Sequence, residues 1–170
     1  INPFREEIMD IKCYPSLLEC PTDIDLIIYA FAAEGAVNAL EEGAKKNAKA
    51  MVVVSGGFKE IGKEEQIKWE KDLVEKAKKH GIRVLGPNCI GILNPENGLD
   101  TFFQSHERLE RPDGGDISFI TQSGTIGVVF LELCAENSLG VNKFVSYGNR
   151  CDVDEADLMR YFAEKTETKV

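Results

Sequence analysis

The segment best suited to chemistry is a polar turn at residues 121–125, with the sequence TQSGT. It lies between an apolar run and an amphipathic helical pattern, so the first backbone N–H groups of the helix would converge beyond the end of a strand. Ser123 and Thr125 could add hydroxyl donors, while Gly124 lets the backbone approach a ligand closely. The turn therefore predicts a site for phosphate or a phosphate-like anion. A serine N-cap without a ligand explains Ser123 equally well.

Two further turns follow predicted strands. Residues 55–60 (SGGFKE) carry two adjacent glycines that could admit a ligand, although a flexible loop is the alternative. Residues 86–91 (GPNCIG) combine a turn-setting proline, the polar Asn88 and the thiol of Cys89. A cysteine in such a setting is more often a small buried residue than a nucleophile.

A polar loop and an acidic segment stand together late in the chain. Residues 147–150 (YGNR) follow a predicted strand and would share a sheet edge with residues 121–125, so both loops could bind one anion. Residues 152–157 (DVDEAD) suggest a metal, but they lack the glycine and the distal Glu of a calcium loop. Asp154 is more simply the N-cap of a helix with an acidic first turn. We therefore predict no metal site.

Catalytic triads have weak support in this chain. The only histidines are His80, at the end of a helical pattern, and His106, in a loop-like segment. Neither has an obvious partner for a Cys-His or Ser-His-Asp arrangement. A hydrolase is therefore rejected as the leading class.

Composition excludes several other classes. The 170 residues carry a net charge of -9 and a pI near 4.8, which argues against nucleic acid binding. The apolar runs are no longer than a strand, so a membrane role is not expected. Five cysteines without a C-x-x-C pair predict reduced thiols and a cytoplasmic protein. The chain opens without Met and ends on TKV, which suggests a fragment.

The hydrophobic pattern alternates between strands and helices. Continuous apolar runs predict parallel strands at residues 25–32, 50–54, 82–85, 117–120 and 143–146. Apolar stripes predict helices between them, one bearing Ala36, Val37, Leu40 and Ala44, the next bearing Ile67, Leu73, Val74 and Ala77 and stopping at Gly81. The second helix should turn Glu65, Lys68, Glu70, Lys71, Glu75, Lys76 and Lys78 to solvent. The pattern predicts an α/β, doubly wound fold, with a linker at residues 94–115 and a second βαβ unit after it.

Six segments, read in order, carry a resemblance to a known family. They are NPF…CYPSL, DLIIYAFAAEGAV, VVVSGGFKE, GIRVLGPNCIGILNP, ISFITQSGTIG and KFVSYGNRCDVDEADL. Together they resemble the nucleoside-diphosphate-forming acyl-CoA synthetases, above all the ADP-forming acetate–CoA ligases, and more distantly the α subunit of succinyl-CoA synthetase. The resemblance implies a truncated Rossmann-like CoA-binding domain at residues 1–112. It also implies the start of a flavodoxin-like ligase domain at residues 113–170, with parallel sheets in both.

The resemblance also implies the chemistry. The family converts acyl-CoA, ADP and phosphate to an acid, ATP and CoA through a phosphohistidine, which we expect beyond Val170, so that this chain holds no catalytic residue. It implies CoA, an acyl substrate and phosphate as ligands, Mg²⁺ with ADP or ATP in an ATP-grasp domain or β subunit, and an oligomer.

Individual positions match the family's binding residues. Those matching its CoA contacts are Asn2, Pro3, Arg5, Ser55, Gly56, Gly57, Phe58, Asn88 and Cys89. Those matching its phosphate contacts are Ser123, Gly124, Thr125, Gly148 and Asn149. The family usually has Lys near the position of Arg5 and often Pro at the position of Ala32. Its first strand and glycine-rich CoA loop would precede Ile1.

Two alternative functions stay open. Related CoA-binding regions occur in protein lysine acetyltransferases, fused to an acetyltransferase domain. A non-catalytic CoA-sensing or scaffold module is the other possibility.

Overall fold

Nine strands in three sheets and four α-helices form the structure, a computed structural model that describes residues 1–165 and 168–170. The strands are β1 (Glu7–Ile8), β2 (Ile11–Lys12), β3 (Leu26–Tyr29), β4 (Ala50–Val53), β5 (Arg83–Leu85), β6 (Gly91–Asn94), β7 (Leu99–Asp100), β8 (Gly114–Thr121) and β9 (Val141–Ser146). The helices are α1 (Ala36–Lys45), α2 (Glu64–His80), α3 (Gly124–Glu136) and α4 (Glu155–Ala163). Strands β1 and β2 pair as a small antiparallel hairpin.

The first large sheet is parallel, with the strand order β3-β4-β5. Helix α1 connects β3 to β4, and α2 connects β4 to β5, which gives the predicted βαβαβ pattern. Met51, Val52 and Val53 of the central strand are almost completely buried, as a strand covered on both faces requires. Leu40 of α1 and Leu73 of α2 close this core.

The second large sheet has the order β7-β6-β9-β8 and mixes strand directions. Strands β8 and β9 are parallel, as predicted, and α3 crosses between them. The sequence did not predict β6 or β7, since β6 pairs antiparallel with both β9 and β7. The core of this unit contains aromatic rings, with Phe119 stacked 3.9 Å from Phe130 and the fully buried Phe144 beside them.

Residues 94–115, predicted as a linker, are held against the second sheet. Strand β7 lies within them, and the Thr101 hydroxyl accepts a hydrogen bond from the Ile92 backbone N–H at 2.8 Å. The Arg111 guanidinium donates to Asp100 at 2.7 Å and lies over the Phe102 ring. The turn-rich segment is therefore a β-ribbon that side-chain contacts hold in place. The α/β fold with parallel strands is confirmed, while the boundary at residue 112 stays a prediction.

Helix α2 corrects one sequence prediction. Ile67, expected on the buried stripe, is 48% exposed, whereas Glu70, expected in solvent, is only 5% exposed. Glu70 lies three residues before Leu73 and seven before Ala77, on the face that packs against the sheet. Its carboxylate lies 2.7 Å from the Lys59 ammonium, and this pairing compensates the burial of its charge.

The helix ends follow the expected chemistry. Gly81 ends α2 in a left-handed conformation with φ 68, and the Asp154 side chain caps α4 by accepting from the Asp157 N–H. In the described residues, no helix combines the length and the apolar run that a bilayer crossing needs.

Candidate functional site

The loops that follow β4, β5, β8 and β9 are joined by backbone hydrogen bonds. The Asn88 N–H donates to the Ser55 carbonyl at 2.9 Å, and the Asn149 N–H donates to the Pro87 carbonyl at 2.8 Å. The Tyr147 N–H donates to the Thr121 carbonyl at 3.0 Å. Carboxyl ends of parallel strands are the usual place for ligands in such folds. The structure therefore brings four of the predicted binding segments together.

A cleft of about 560 Å³ opens between the segments that follow β4, β5 and β8 and residues 103–104. Its lining residues are Val54, Asn88, Cys89, Ile90, Phe103, Gln104, Gln122, Ser123, Gly124, Thr125 and Val128. The predicted CoA segment (Asn88, Cys89) and the predicted phosphate turn (Ser123 to Thr125) thus line one cavity. The volume lies within the roughly 300–1,000 Å³ typical of small-molecule sites.

Ser123 is the N-cap of α3, which agrees with the simpler interpretation of that residue. Its hydroxyl accepts from the Ile126 N–H at 3.4 Å, and its carbonyl accepts from the Gly127 N–H at 3.1 Å. Among residues 1–165 and 168–170, no acceptor is found for the N–H groups of Gly124 and Thr125. A cap and an anion are therefore compatible at this turn, because the cap uses different N–H groups.

Gly148 permits a close approach between the loops after β5 and β9. Its φ is +52, and an added Cβ would lie less than 3.0 Å from the carbonyl oxygens of Pro87 and Asn88, closer than real Cβ contacts come. Because Gly148 has no side chain, the loop after β9 can lie directly against the wall of the cleft. Gly148 itself is buried and does not line the cleft.

The glycine-bearing loop after β4 is ordered by its own glutamate. One carboxylate oxygen of Glu60 accepts from the N–H groups of Gly57 at 2.5 Å and Phe58 at 3.1 Å. Burial acts to raise the pKa of the Glu60 carboxyl, but hydrogen bonds from Asn149 and from these N–H groups outweigh it and lower the pKa. The loop is therefore not the flexible segment that the adjacent glycines could suggest.

Phe58 anchors the same loop in the first core. Its ring is completely buried and packs with the residues around α1 and α2. Ser55 and Gly57 are half-buried and Gly56 is exposed, and the φ of +99 at Gly57 shapes the turn. None of the four residues lines the cleft directly, so their predicted contact with CoA stays a prediction.

Asn149 makes contacts that the sequence did not reveal. Its side-chain amide donates to Glu60 at 2.6 Å and to Glu70 at 3.1 Å. Lys59 completes the group by donating to the Asn149 carbonyl oxygen at 3.2 Å. The i, i+3 and i+7 spacing of Glu70, Leu73 and Ala77 was the available signal that Glu70 faces inward.

Asn2, Pro3 and Arg5 lie apart from the cleft. Pro3 lines a second groove of about 580 Å³ beside β3 and the start of α1, while Arg5 is exposed. The Asn2 side chain accepts from the Phe4 N–H at 2.9 Å, and Asn2 lines neither cavity. Their assignment to CoA stays a prediction.

The acidic segment is occupied by structural contacts. Asp152 accepts from the Arg83 guanidinium at 3.0 Å and from the Val84 N–H at 2.8 Å. Asp157 accepts from Arg83 at 2.7 Å, and this bond lowers the pKa of its carboxyl. Together with the Asp154 cap, these contacts give the acidic segment a structural role, in which it connects β5 to α4.

We expect Cys89 to resist alkylation in the folded protein. Burial raises the pKa of its thiol from 9.0 to about 12, so the thiolate fraction at pH 8 falls about 1,000-fold. Iodoacetamide labelling followed by mass spectrometry should modify the half-buried Cys13 well before Cys89, and urea should abolish the difference. Equal labelling rates in the folded state would contradict this environment for Cys89.

Residues 1–95 match the CoA binding domain family, and residues 114–170 match the succinyl-CoA ligase like flavodoxin domain. Acetate–CoA ligase [ADP-forming] I of Archaeoglobus fulgidus is 38% identical over 170 residues, covering 100% of this chain and 24% of that protein. Acetate–CoA ligase [ADP-forming] II subunit alpha of Pyrococcus furiosus is 37% identical, covering 99% of this chain and 36% of that subunit. The chain therefore spans roughly a quarter to a third of these relatives.

A solved structure agrees with both comparisons. The dinucleotide forming acetyl-coenzyme A synthetase 1 of Ca. Korarchaeum cryptofilum, in complex with phosphate and ADP, superimposes with a TM-score of 0.88. It is 32% identical, and the match covers 99% of this chain and 35% of that one. The chain thus belongs to the nucleoside-diphosphate-forming acyl-CoA synthetase family and corresponds to the α-type region of ADP-forming acetate–CoA ligases.

Proposed function

We propose that this chain supplies the CoA-binding and phosphate-binding regions of an enzyme that converts acyl-CoA, ADP and phosphate to an acid, ATP and CoA. One observation carries the proposal: a single cleft is lined by Asn88 and Cys89 on one side and by Ser123 to Thr125 on the other. In this reaction phosphate attacks the acyl carbon of a thioester. A site that binds the thiol end of CoA beside an anion is what that attack requires.

The lining of the cleft suits the thiol end of CoA in polarity. Val54, Ile90 and Val128 offer apolar contacts for a pantetheine arm, and Asn88 offers a polar group. Asn88 has a φ of +59, a left-handed conformation that Asn adopts more readily than most residues. Cys89 contributes packing rather than a nucleophile, because its buried thiol stays protonated at neutral pH.

The start of α3 would hold the phosphate. The N–H groups of Gly124 and Thr125 and the hydroxyls of Ser123 and Thr125 can donate to its oxygens, and the helix dipole favours negative charge at this end. Phosphoryl transfer depends on such oriented donors, which stabilise the equatorial oxygens without reorganising. These residues therefore bind and orient the group that is transferred.

The remaining components belong outside residues 1–170. We assign the phosphohistidine to a downstream region, since neither His80 nor His106 lines the cleft. An ATP-grasp domain or β subunit would bind ADP or ATP with Mg²⁺, and the name subunit alpha of the Pyrococcus furiosus relative supports a two-part oligomeric enzyme. Acetate as the acid is proposed from the names of the relatives. Five free cysteines support a cytoplasmic location.

The test uses the protein that carries this chain together with its downstream and nucleotide-binding regions. We expect ATP formation from acetyl-CoA, ADP and phosphate, with none when phosphate is omitted, and saturable CoA binding by calorimetry. CoA binding without ATP formation from any small acyl-CoA would overturn the enzyme proposal in favour of a binding module. Acetyl transfer to protein lysines instead would favour the acetyltransferase alternative.

A further inference from the structure

The carboxylate of Glu60 connects two predicted binding loops that come from different sheets. One oxygen accepts from the Gly57 and Phe58 N–H groups in the loop after β4. The other oxygen accepts from the Asn149 amide, at 2.6 Å, in the loop after β9. Glu60 and Asn149 are separated by 89 residues in sequence, so this contact is purely tertiary.

Asn149 also contacts the loop that forms the wall of the cleft. Its backbone N–H donates to the Pro87 carbonyl, and its neighbour Gly148 presses against the carbonyl oxygens of Pro87 and Asn88. Asn88 lines the cleft directly. A displacement of Asn149 would therefore move the cleft wall, although Glu60 and Asn149 do not line the cavity.

An ion pair between the buried Glu70 and the exposed Lys59 lies on the far side of this contact. The Asn149 amide also donates to Glu70, which is 5% exposed and is paired with the Lys59 ammonium at 2.7 Å. Lys59 also donates to the Asn149 carbonyl oxygen. The amide is thus held between two carboxylates with both hydrogens donated, so its orientation is determined.

We propose that Glu60 is a positioning residue which, through Asn149, sets the cleft wall and couples the binding of CoA to the binding of phosphate. The loop of Asn149 also reaches the phosphate turn, because the Tyr147 N–H donates to the Thr121 carbonyl at 3.0 Å. The inference rests on the proposed function for the identity of these two ligands. Glu60 also occupies the N–H groups of Gly57 and Phe58, so it shapes that loop without leaving these donors to a ligand. The family resemblance assigns the neighbouring glycines to CoA but gives Glu60 no role.

Donor and acceptor can be exchanged across this contact to test it. Glu60→Gln keeps an oxygen for the Gly57 and Phe58 N–H groups but turns an amide toward the Asn149 amide. Asn149→Asp places a third carboxylate beside Glu60 and Glu70. The double variant restores a donor and an acceptor, because the amide introduced at position 60 can donate to the carboxylate introduced at position 149. It also returns the local net charge to its original value.

The measurement is CoA affinity with and without saturating phosphate, made on the complete enzyme. We expect each single variant to weaken CoA binding about 10-fold in the presence of phosphate. The ratio of the CoA affinities measured with and without phosphate should then approach one. The double variant should recover part of the loss given by Asn149→Asp, since it restores the contact with position 60 but not the one with Glu70. Additive losses in the double variant, or an unchanged ratio in Glu60→Gln, would overturn the inference.

A matched control and a ligand-free measurement separate this inference from the proposed function. Glu41→Gln removes another cross-element carboxylate contact, with Lys76 at 2.8 Å, outside the cleft lining, and should leave CoA binding unchanged. Amide hydrogen exchange can be measured without any ligand. We expect Glu60→Gln to raise the exchange rate of the Asn149 backbone N–H about 10-fold. Unchanged exchange would overturn the inference even if CoA binds, whereas failure of the unmodified enzyme to bind CoA would overturn only the proposed function.

Discussion

Gly148→Ala is expected to lower the free energy of unfolding by about 2–5 kcal/mol and to abolish the proposed activity. A left-handed residue with a Cβ costs about 1–2 kcal/mol, and forcing atoms into a packed site adds about 1–3 kcal/mol. The new methyl carbon would overlap the Pro87 carbonyl oxygen. The obstructing atoms belong to the backbone, so one loop must move away from the other. Urea denaturation and the ATP-forming assay measure the two effects.

Gly98→Ala is the matched control for that substitution. Gly98 also has a positive φ, +72, but nothing lies within 4 Å of its added Cβ. The Gly98→Ala variant should therefore lose only about 1–2 kcal/mol of unfolding free energy, the cost of a left-handed residue with a Cβ. It should retain activity. Equal destabilisation by both substitutions would show that the close approach of the loops contributes nothing at Gly148.

The second large effect is expected from charge at the start of α3. Asp and Asn both cap helices about as well as Ser, so Ser123→Asp and Ser123→Asn should leave α3 intact. Only Asp adds a negative charge beside the proposed phosphate. Two unit charges 4 Å apart interact with about 4 kcal/mol near a protein surface, and solvent screening reduces this to roughly a 100-fold loss of phosphate affinity.

Phosphate titration of the complete enzyme with each variant tests this prediction. Ser123→Asn should stay within about 5-fold of the unmodified enzyme, since it keeps the cap and the neutral charge. Thermal unfolding should show no loss for Ser123→Asp, because a carboxylate is favoured at a helix N-terminus. Similar phosphate affinities for the two variants would mean that Ser123 acts as a cap alone.

Local patterns were sufficient for most of the elements. The five predicted strands and the helices between them are present, because runs such as AMVVV and stripes such as that of α1 specify both an element and its buried face. Gly81 and Asp154 end and begin helices as predicted, since capping depends on neighbouring backbone groups. Strands β6 and β7 were missed because β9, the strand that holds them in the sheet, lies far later in the chain.

The candidate site also combines features that local sequence predicts with features that depend on distant contacts. The turn at residues 121–125 could be recognised from sequence, because an anion-binding helix start needs only a strand, a glycine-bearing turn and a helix in succession. Its serine cap is also local, and both interpretations persist in the structure. The family resemblance then indicated which anion to expect.

The cleft itself depends on tertiary structure. Asn88 and Ser123 line it together only because strands from two sheets end at the same place, and Gly148 lets the loop after β9 lie close to the loop of Asn88. Glu70 was expected in solvent, and nothing in the local sequence of Glu60 or Glu70 reveals a partner as distant as Asn149. The sequence by itself therefore determined the strands, the helices and the anion-binding turn. The tertiary structure alone decided which loops form a cavity and which distant polar groups pair, because those contacts join residues far apart in the chain.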